Sequence, residues 1–146
     1  MTIYYTKEGK YDADHILQKH IGFLHRENGP AVYDKTGYEL WCIDGKNHRL
    51  DGPAIIAYDY KEWWVNGERH RKNGPAIEHR DGGKEYYKSG KCHRLSGPSI
   101  ISSAAENEYW IFGKKVNTEE VETWIRENNI NLKTKEHQAL FMLRFG

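Results

Sequence analysis

Four His-Arg dipeptides, each followed two residues later by Gly-Pro, carry most of the chemical capacity visible in this chain: His25-Arg26, His48-Arg49, His70-Arg71 and His93-Arg94. Gathered imidazoles could ligate a metal or move protons, and a file of guanidinium groups could grip phosphates through paired N–H donors. Spacing decides between these. The histidines are 23, 22 and 23 residues apart, and all four prolines of the chain fall in this one motif. If each step is a β-hairpin, equivalent side chains lie two strand spacings apart, about 9–10 Å, whereas zinc ligands sit ~2 Å from their ion. No metal and no other cofactor is therefore expected. Each Arg is expected to pair with a carboxylate or with backbone carbonyls at its turn, each His to pack on the proline of its own motif, and Glu62, Glu85 and Glu108 to form the partner column. The functional alternative is that Arg49, Arg71 and Arg94 stand free to hold an anion.

The elements that position these residues follow from the repeat. A glycine precedes each His by three residues (Gly22, Gly45, Gly67, Gly90), and Gly113 continues the series where Val116-Asn117 replaces His-Arg. After each Gly-Pro comes a small residue and then a β-branched one, in the columns Ala31/Ala54/Ala76/Ser99 and Val32/Ile55/Ile77/Ile100, the pattern of a strand buried on one face. Asp- and Gly-rich turns follow, at Asp34 to Gly37 and Asp81 to Gly83. A second strand carries Trp41, Trp63-Trp64, Tyr86-Tyr87 and Tyr109-Trp110 and closes at Asp44-Gly45, Asn66-Gly67 and Ser89-Gly90, strong two-residue turn signals. The reading is a mainly β protein: stacked β-hairpin repeats of 22–23 residues in an extended or rolled antiparallel sheet, since a lone hairpin is marginal in water. One face is expected to hold Val32, Ile55, Ile77 and Ile100 with Trp41, Trp63, Tyr86 and Tyr109. The other is expected to hold Cys42, Trp64, Tyr87 and Trp110.

Thr2 to Thr6 reads as a strand and Glu8-Gly9-Lys10 as a turn, making a degenerate first hairpin, with a further strand expected over His15 to Gly22. The repeat region spans residues 1–116, clearest over 22–116, and residues 117–146 form a C-terminal helical cap. Asn117 is the expected N-cap of a first helix with Val121, Trp124 and Ile125 on its apolar stripe, Asn128-Asn129 ends it, and a second helix runs from Thr134 to Phe145.

An aromatic strand closing in a Gly-Lys turn, as in Glu85-Tyr-Tyr-Lys-Ser-Gly-Lys91, and the His-Arg-x-x-Gly-Pro-Ala motif at His48 to Ala54 resemble MORN repeats, in the variant common in bacteriophages and large DNA viruses. The likeness covers about Gly22 to Val116. It implies a sheet of hairpins and a non-catalytic interaction role.

A net charge of +1 gives no bulk pull toward nucleic acid or acidic membranes. Cys42 and Cys92 fall at different repeat positions and make neither a disulfide framework nor a CxxC motif. There is no apolar run long enough to span a membrane and no apolar leader at the amino terminus, so a cytoplasmic location is expected, the host cytoplasm if the source is viral. Neither a Gly-x-Ser-x-Gly elbow nor a phosphate-cradling loop is present, and no enzyme is expected. The candidate binding residues are Trp64, Tyr87, Trp110, Arg49, Arg71 and Arg94. They suit an interface with a host protein that the chain inhibits or sequesters. They also suit a nucleotide or nucleic-acid sponge in which the rings stack on bases. A structural or antitoxin-like scaffold that oligomerises along sheet edges is the third reading, and the same rings could simply be the floor beneath the helices.

Overall fold

A computed structural model describes residues 1–12 and 24–146; the strand expected over His15 to Gly22 lies outside the described residues. The chain opens with a hairpin of β1 (Thr2–Thr6) and β2 (Gly9–Asp12). The first repeat then supplies β3 (Val32–Asp34), β4 (Glu39–Leu40), β5 (Cys42–Ile43) and β6 (Lys46–Asn47). The second supplies β7 (Ile55–Ile56), β8 (Tyr60–Glu62), β9 (Trp64–Val65) and β10 (Glu68–Arg69), and the third β11 (Ile77–His79), β12 (Lys84–Glu85), β13 (Tyr87–Lys88) and β14 (Lys91–Cys92). The fourth has β15 (Ile100–Ile101), β16 (Tyr109–Ile111) and β17 (Lys114–Val116), and two helices follow, α1 (Thr118–Glu127) and α2 (Lys135–Phe145).

Among the described residues, nine strands form one open antiparallel sheet in the order β15-β12-β11-β8-β7-β4-β3-β1-β2. The remaining strands form four separate two-stranded ribbons, one per repeat. The expected second strand is thus two elements, broken at Trp41, Trp63 and Tyr86. The break has a hydrogen-bonding reason. The N–H groups of Trp41, Trp63 and Tyr86 donate forward to the carbonyls of Ala54, Ala76 and Ser99, while their carbonyls accept from His48, His70 and His93. At that residue the chain swivels out of the large sheet and into its ribbon. Ribbons are tied to one another a repeat apart, as where the N–H groups of Gly67, Gly90 and Gly113 donate to the carbonyls of Asn47, Arg69 and Cys92.

The first three ribbons close in the two-residue turns expected of them, with both central residues at positive φ, as at Asp44 (50°) and Gly45 (72°) or Asn66 (52°) and Gly67 (82°), and the fourth closes in the same way at Phe112 (47°) and Gly113 (86°). The small residue after Gly-Pro is obligatory, since Ala31, Ala54, Ala76 and Ser99 are all 0% exposed. Ser99 fills its alanine position without an orphaned hydroxyl, because Oγ donates to the Trp110 carbonyl at 2.8 Å and accepts the Trp110 N–H at 3.1 Å.

Register overturns the expected faces. Ile55 lies opposite Leu40 and Glu62, Ile77 opposite Glu62 and Glu85, and Ile100 opposite Glu85. Cross-strand partners point to the same side, so the Val/Ile column shares a face with the residue before Trp41, Trp63 and Tyr86 rather than with those rings. A one-residue offset in a period-two element exchanges the faces. Val32 accordingly packs in one cluster with Leu40 and Cys42.

The helices begin as their caps require: Asn117 Oδ1 accepts the Glu120 N–H at 2.9 Å and Thr134 Oγ1 accepts the His137 N–H at 3.3 Å. Both pack against the last repeat, where Tyr109, Ile111, Val116, Val121, Leu132, Phe141 and Phe145 form the largest apolar cluster.

Candidate binding surface

Each motif arginine closes a loop of its own repeat. One guanidinium nitrogen of Arg26, Arg49, Arg71 and Arg94 donates to the carbonyl of the proline four residues on, at 3.1, 3.2, 3.1 and 3.0 Å. The guanidinium carbon then lies over an aromatic ring: Arg26 over Tyr5, Arg49 over Trp41, Arg71 over Trp63 and Arg94 over Tyr86, at 3.7–3.9 Å from the centroid. The glycine of Gly-Pro has a backbone reason at Gly29, Gly74 and Gly97, whose φ is 145–146°, and a Cβ at Gly29 or Gly52 would also fall 2.8 or 2.9 Å from the arginine Cζ and displace the guanidinium. The stacking also explains the first hairpin, in which Tyr5 takes the place of Trp41. The fifth repeat position lacks the arginine, and Phe141 of α2 takes its place, meeting Tyr109 edge-on at 6.1 Å.

The expected partner column of glutamates is not used by these arginines. Glu62 and Trp64 share a face, two residues apart, and Trp63 with Arg71 is on the other. Glu62 instead accepts from Trp64 Nε1 at 2.6 Å and from Arg69 Nε at 3.3 Å. Glu85 accepts from the Tyr87 hydroxyl at 3.0 Å, and Glu108 from Trp110 Nε1 at 2.7 Å and Lys115 Nζ at 2.6 Å. Trp64, Tyr87 and Trp110 are therefore half-buried, each bonded to the glutamate two residues before it on the Val/Ile side of the sheet, the inner stripe, with Tyr87 also reaching the groove wall. In the first repeat both members of the pair are replaced together, by Leu40 and Cys42. The thiols here are quenched: burial pushes Cys42 up to about 11, and burial with Glu85 and Glu108 nearby pushes Cys92 up to about 12. Burial and Glu85 likewise raise Tyr87 to about 12.

Carboxylate partners of the motif arginines vary along the array. Arg49 Nε pairs with Asp51 at 2.8 Å, and Arg71 with Glu78 at 2.6 Å. The loop position of Asp51 holds Asn73 and Ser96 in the next two repeats, and Arg94 Nε donates to the neutral Ser96 hydroxyl at 3.1 Å. Between these two repeats lies a groove of ≈ 610 Å³ walled by Arg71, Lys72, Tyr86, Tyr87, Lys88 and Arg94, with His70, His93 and Ser96 and no carboxylate side chain. Of the six sequence-predicted site residues, this groove brings together Arg71, Arg94 and Tyr87. Trp64 and Trp110 belong to the inner stripe, and Arg49 to the preceding loop. Lys72 and Lys88, which complete the groove, depart from their columns, where the other repeats have Glu27, Leu50 and Leu95, and Ile43, Val65 and Ile111.

The motif histidines staple neighbouring repeats. Nδ1 of His70 and His93 accepts the backbone N–H of Ser89 and Phe112, at 3.2 Å in each case. Nδ1 of His25 and His48 lies 3.1 Å from the backbone nitrogen of Asp44 and Asn66 and 2.9 Å from their Oδ1, accepting from the first or donating to the second according to its tautomer. Each partner is the first positive-φ residue of the next ribbon. Phe112, at φ 47°, is further held by stacking on His93 at 3.9 Å. Among the described residues no three His, Cys, Asp or Glu side chains lie close enough to hold a metal, and no helix is long and apolar enough to cross a membrane. No family model, curated protein or solved structure matches the chain.

Proposed function

We propose that the chain is a non-catalytic binding protein that grips an acidic surface of another protein through the loops of its third and fourth repeats, and so inhibits or sequesters it. The partner is a host protein if the resemblance to phage-type MORN repeats reflects the source. The observation that carries this reading is the groove in which Lys72, Lys88 and Arg94 meet Arg71, whose carboxylate partner Glu78, at 2.6 Å, lies outside the groove wall. In a chain of net charge +1, that is a local concentration of positive charge. The inner stripe supports the same reading by exclusion, because its polar groups already satisfy one another.

A nucleotide or nucleic acid is the second reading, favoured by the same four cations acting on phosphates. Base stacking would have to compete with the chain's own cations. Arg94 covers Tyr86, while Arg69 lies 5.0 Å from the Trp64 centroid and 5.4 Å from that of Tyr87. Affinity capture from host lysate, with Lys72→Glu/Lys88→Glu as the comparison, tests both. Both lysines are exposed, so the variant should stay folded. Loss of the captured protein in the variant, with no displacement by single-stranded oligonucleotide, supports the first reading. Displacement by the oligonucleotide, falling steeply with salt, supports the second. Capture unchanged by the variant would remove this groove from both.

A further inference from the structure

The helical cap carries an apolar surface that the repeats leave uncovered. Leu143 is 85% exposed and Leu140 42%. Beside them lies an open groove of ≈ 760 Å³ bordered by Trp124, Ile130, Leu140, Leu143 and Arg144. Because α2 turns Phe141 and Phe145 into the core, its helical period sends Glu136, Leu140 and Leu143 outward, with Arg144 at the flank.

We propose that this face joins two copies of the chain, α2 packing antiparallel on α2 about a two-fold axis beside Leu140. Glu136 stands four residues before Leu140 and Arg144 four after, so the axis brings Glu136 of each copy to Arg144 of the other, twice, while Leu140 meets its own counterpart. Leu143, three residues after the axis, meets His137, three before it, on the lip of the groove that Trp124 and Ile130 border. Charge complementarity is what selects a second copy as the occupant: an acid at one end of the apolar strip and a base at the other match when the strip is reversed. Arg144 can turn to this partner, since its ion pair with Glu120 is 3.9 Å long with both side chains more than half exposed, and its guanidinium lies 5.3 Å from the Phe145 centroid. The buried area is small, so the dimer is weak, dissociating on the order of 10–100 μM.

Sedimentation velocity of the full chain from roughly 10 μM to 1 mM tests this. The expected result is a concentration-dependent monomer–dimer equilibrium, weakened about 100-fold by Leu143→Glu because each dimer loses two leucine contacts. Arg144→Glu weakens it too, and adding Glu136→Arg in the same chain restores it. Far-UV circular dichroism confirms that these exposed changes leave the helices intact. A monomer throughout the range, a dimer indifferent to Leu143→Glu, or a charge reversal no better than the single change would each overturn the proposal. Lys72→Glu/Lys88→Glu should dimerise normally, which separates this face from the basic groove.

Discussion

Replacing Arg71 by Lys tests whether the motif arginines act through their shape or merely through their charge. Arg71 has three partners: the Trp63 ring at 3.7 Å, the Pro75 carbonyl at 3.1 Å and Glu78 at 2.6 Å. Stacking on a half-buried indole is worth about 1 kcal/mol, and a charge-assisted bond to a carbonyl about 1.5 kcal/mol. The ion pair counts for less, under about 0.5 kcal/mol, because Arg71 and Glu78 are 28% and 38% exposed and solvent screens them. Arg71→Ala should therefore cost about 2.5–3 kcal/mol, all three contacts being lost. Lysine keeps the charge but has no flat face to lay on Trp63 and no fork to reach Pro75 and Glu78 together. Arg71→Lys should thus still cost about 1.5–2 kcal/mol, a fall in melting temperature of about 5–8 °C for a domain of this size.

Urea unfolding followed by far-UV circular dichroism measures these differences, with Arg80→Ala as the internal control. Arg80 also covers a ring, Tyr58 at 4.3 Å, but that ring is 83% exposed, so its loss should cost under about 0.5 kcal/mol. If Arg71→Lys matched the wild type, or if Arg80→Ala cost as much as Arg71→Ala, the stacked-arginine account of the Gly-Pro motif would be wrong.

Other outcomes follow from the same geometry. Burial, with Lys88 nearby, holds His93 below its usual value, and its Nδ1 must stay unprotonated to accept the Phe112 N–H. Its contribution is present above the ordinary value of 6.5 and is lost as pH falls through the lowered folded value, so urea midpoints should drop from pH 7.5 toward 5, with a shallower slope in His93→Ala. Ser89 sits at φ 47° where the two preceding repeats have Asp and Asn; Ser89→Asn should stabilise by about 0.5 kcal/mol, read as a higher urea midpoint. Ala54→Leu places three extra carbons at a position with 0% exposure and should destabilise by at least about 2 kcal/mol in the same assay, whereas Ser99→Ala should cost about 1 kcal/mol for its two bonds to the Trp110 backbone.

The repeat period, the turn residues, the alanine column and both helix caps were legible because each is set by local backbone chemistry. Positive φ calls for Asn-Gly or Asp-Gly, and full burial beside a neighbouring strand calls for Ala. The faces were not legible, because face assignment needs cross-strand register. Counting along one strand placed Ile77 with Trp63, yet pairing places Ile77 against Glu62 and Glu85, one residue away. The same offset misdirected the partners of the arginines. Glu62 looked like a carboxylate for Arg71 and turned out to face away from it, toward Trp64 and Arg69. One signal could have exposed this: the two positions 40 and 42 change from Glu/aromatic to Leu/Cys together, which marks a coupled pair at i and i+2 and hence a shared face. The groove was invisible for another reason. Lys72 and Lys88 are each the single lysine in their columns (Glu27/Leu50/Leu95 and Ile43/Val65/Ile111), and nothing in a single repeat shows that loops from two of them meet.

The end of the array shows what the motif arginine does for the fold. Tyr5, Trp41, Trp63 and Tyr86 are each roofed by a guanidinium from a His-Arg loop, a cover that leaves a polar, solvated outer surface. Where Val116-Asn117 replaces His-Arg, Tyr109 is left without its roof, and an aromatic ring exposed there would invite association at the edge of the array. Phe141 and Phe145 from α2 and Trp124 from α1 close over that place, and the core of the protein is concentrated there. The helices thus take over the covering task with apolar groups, and doing so leaves Leu140 and Leu143 of α2 facing water.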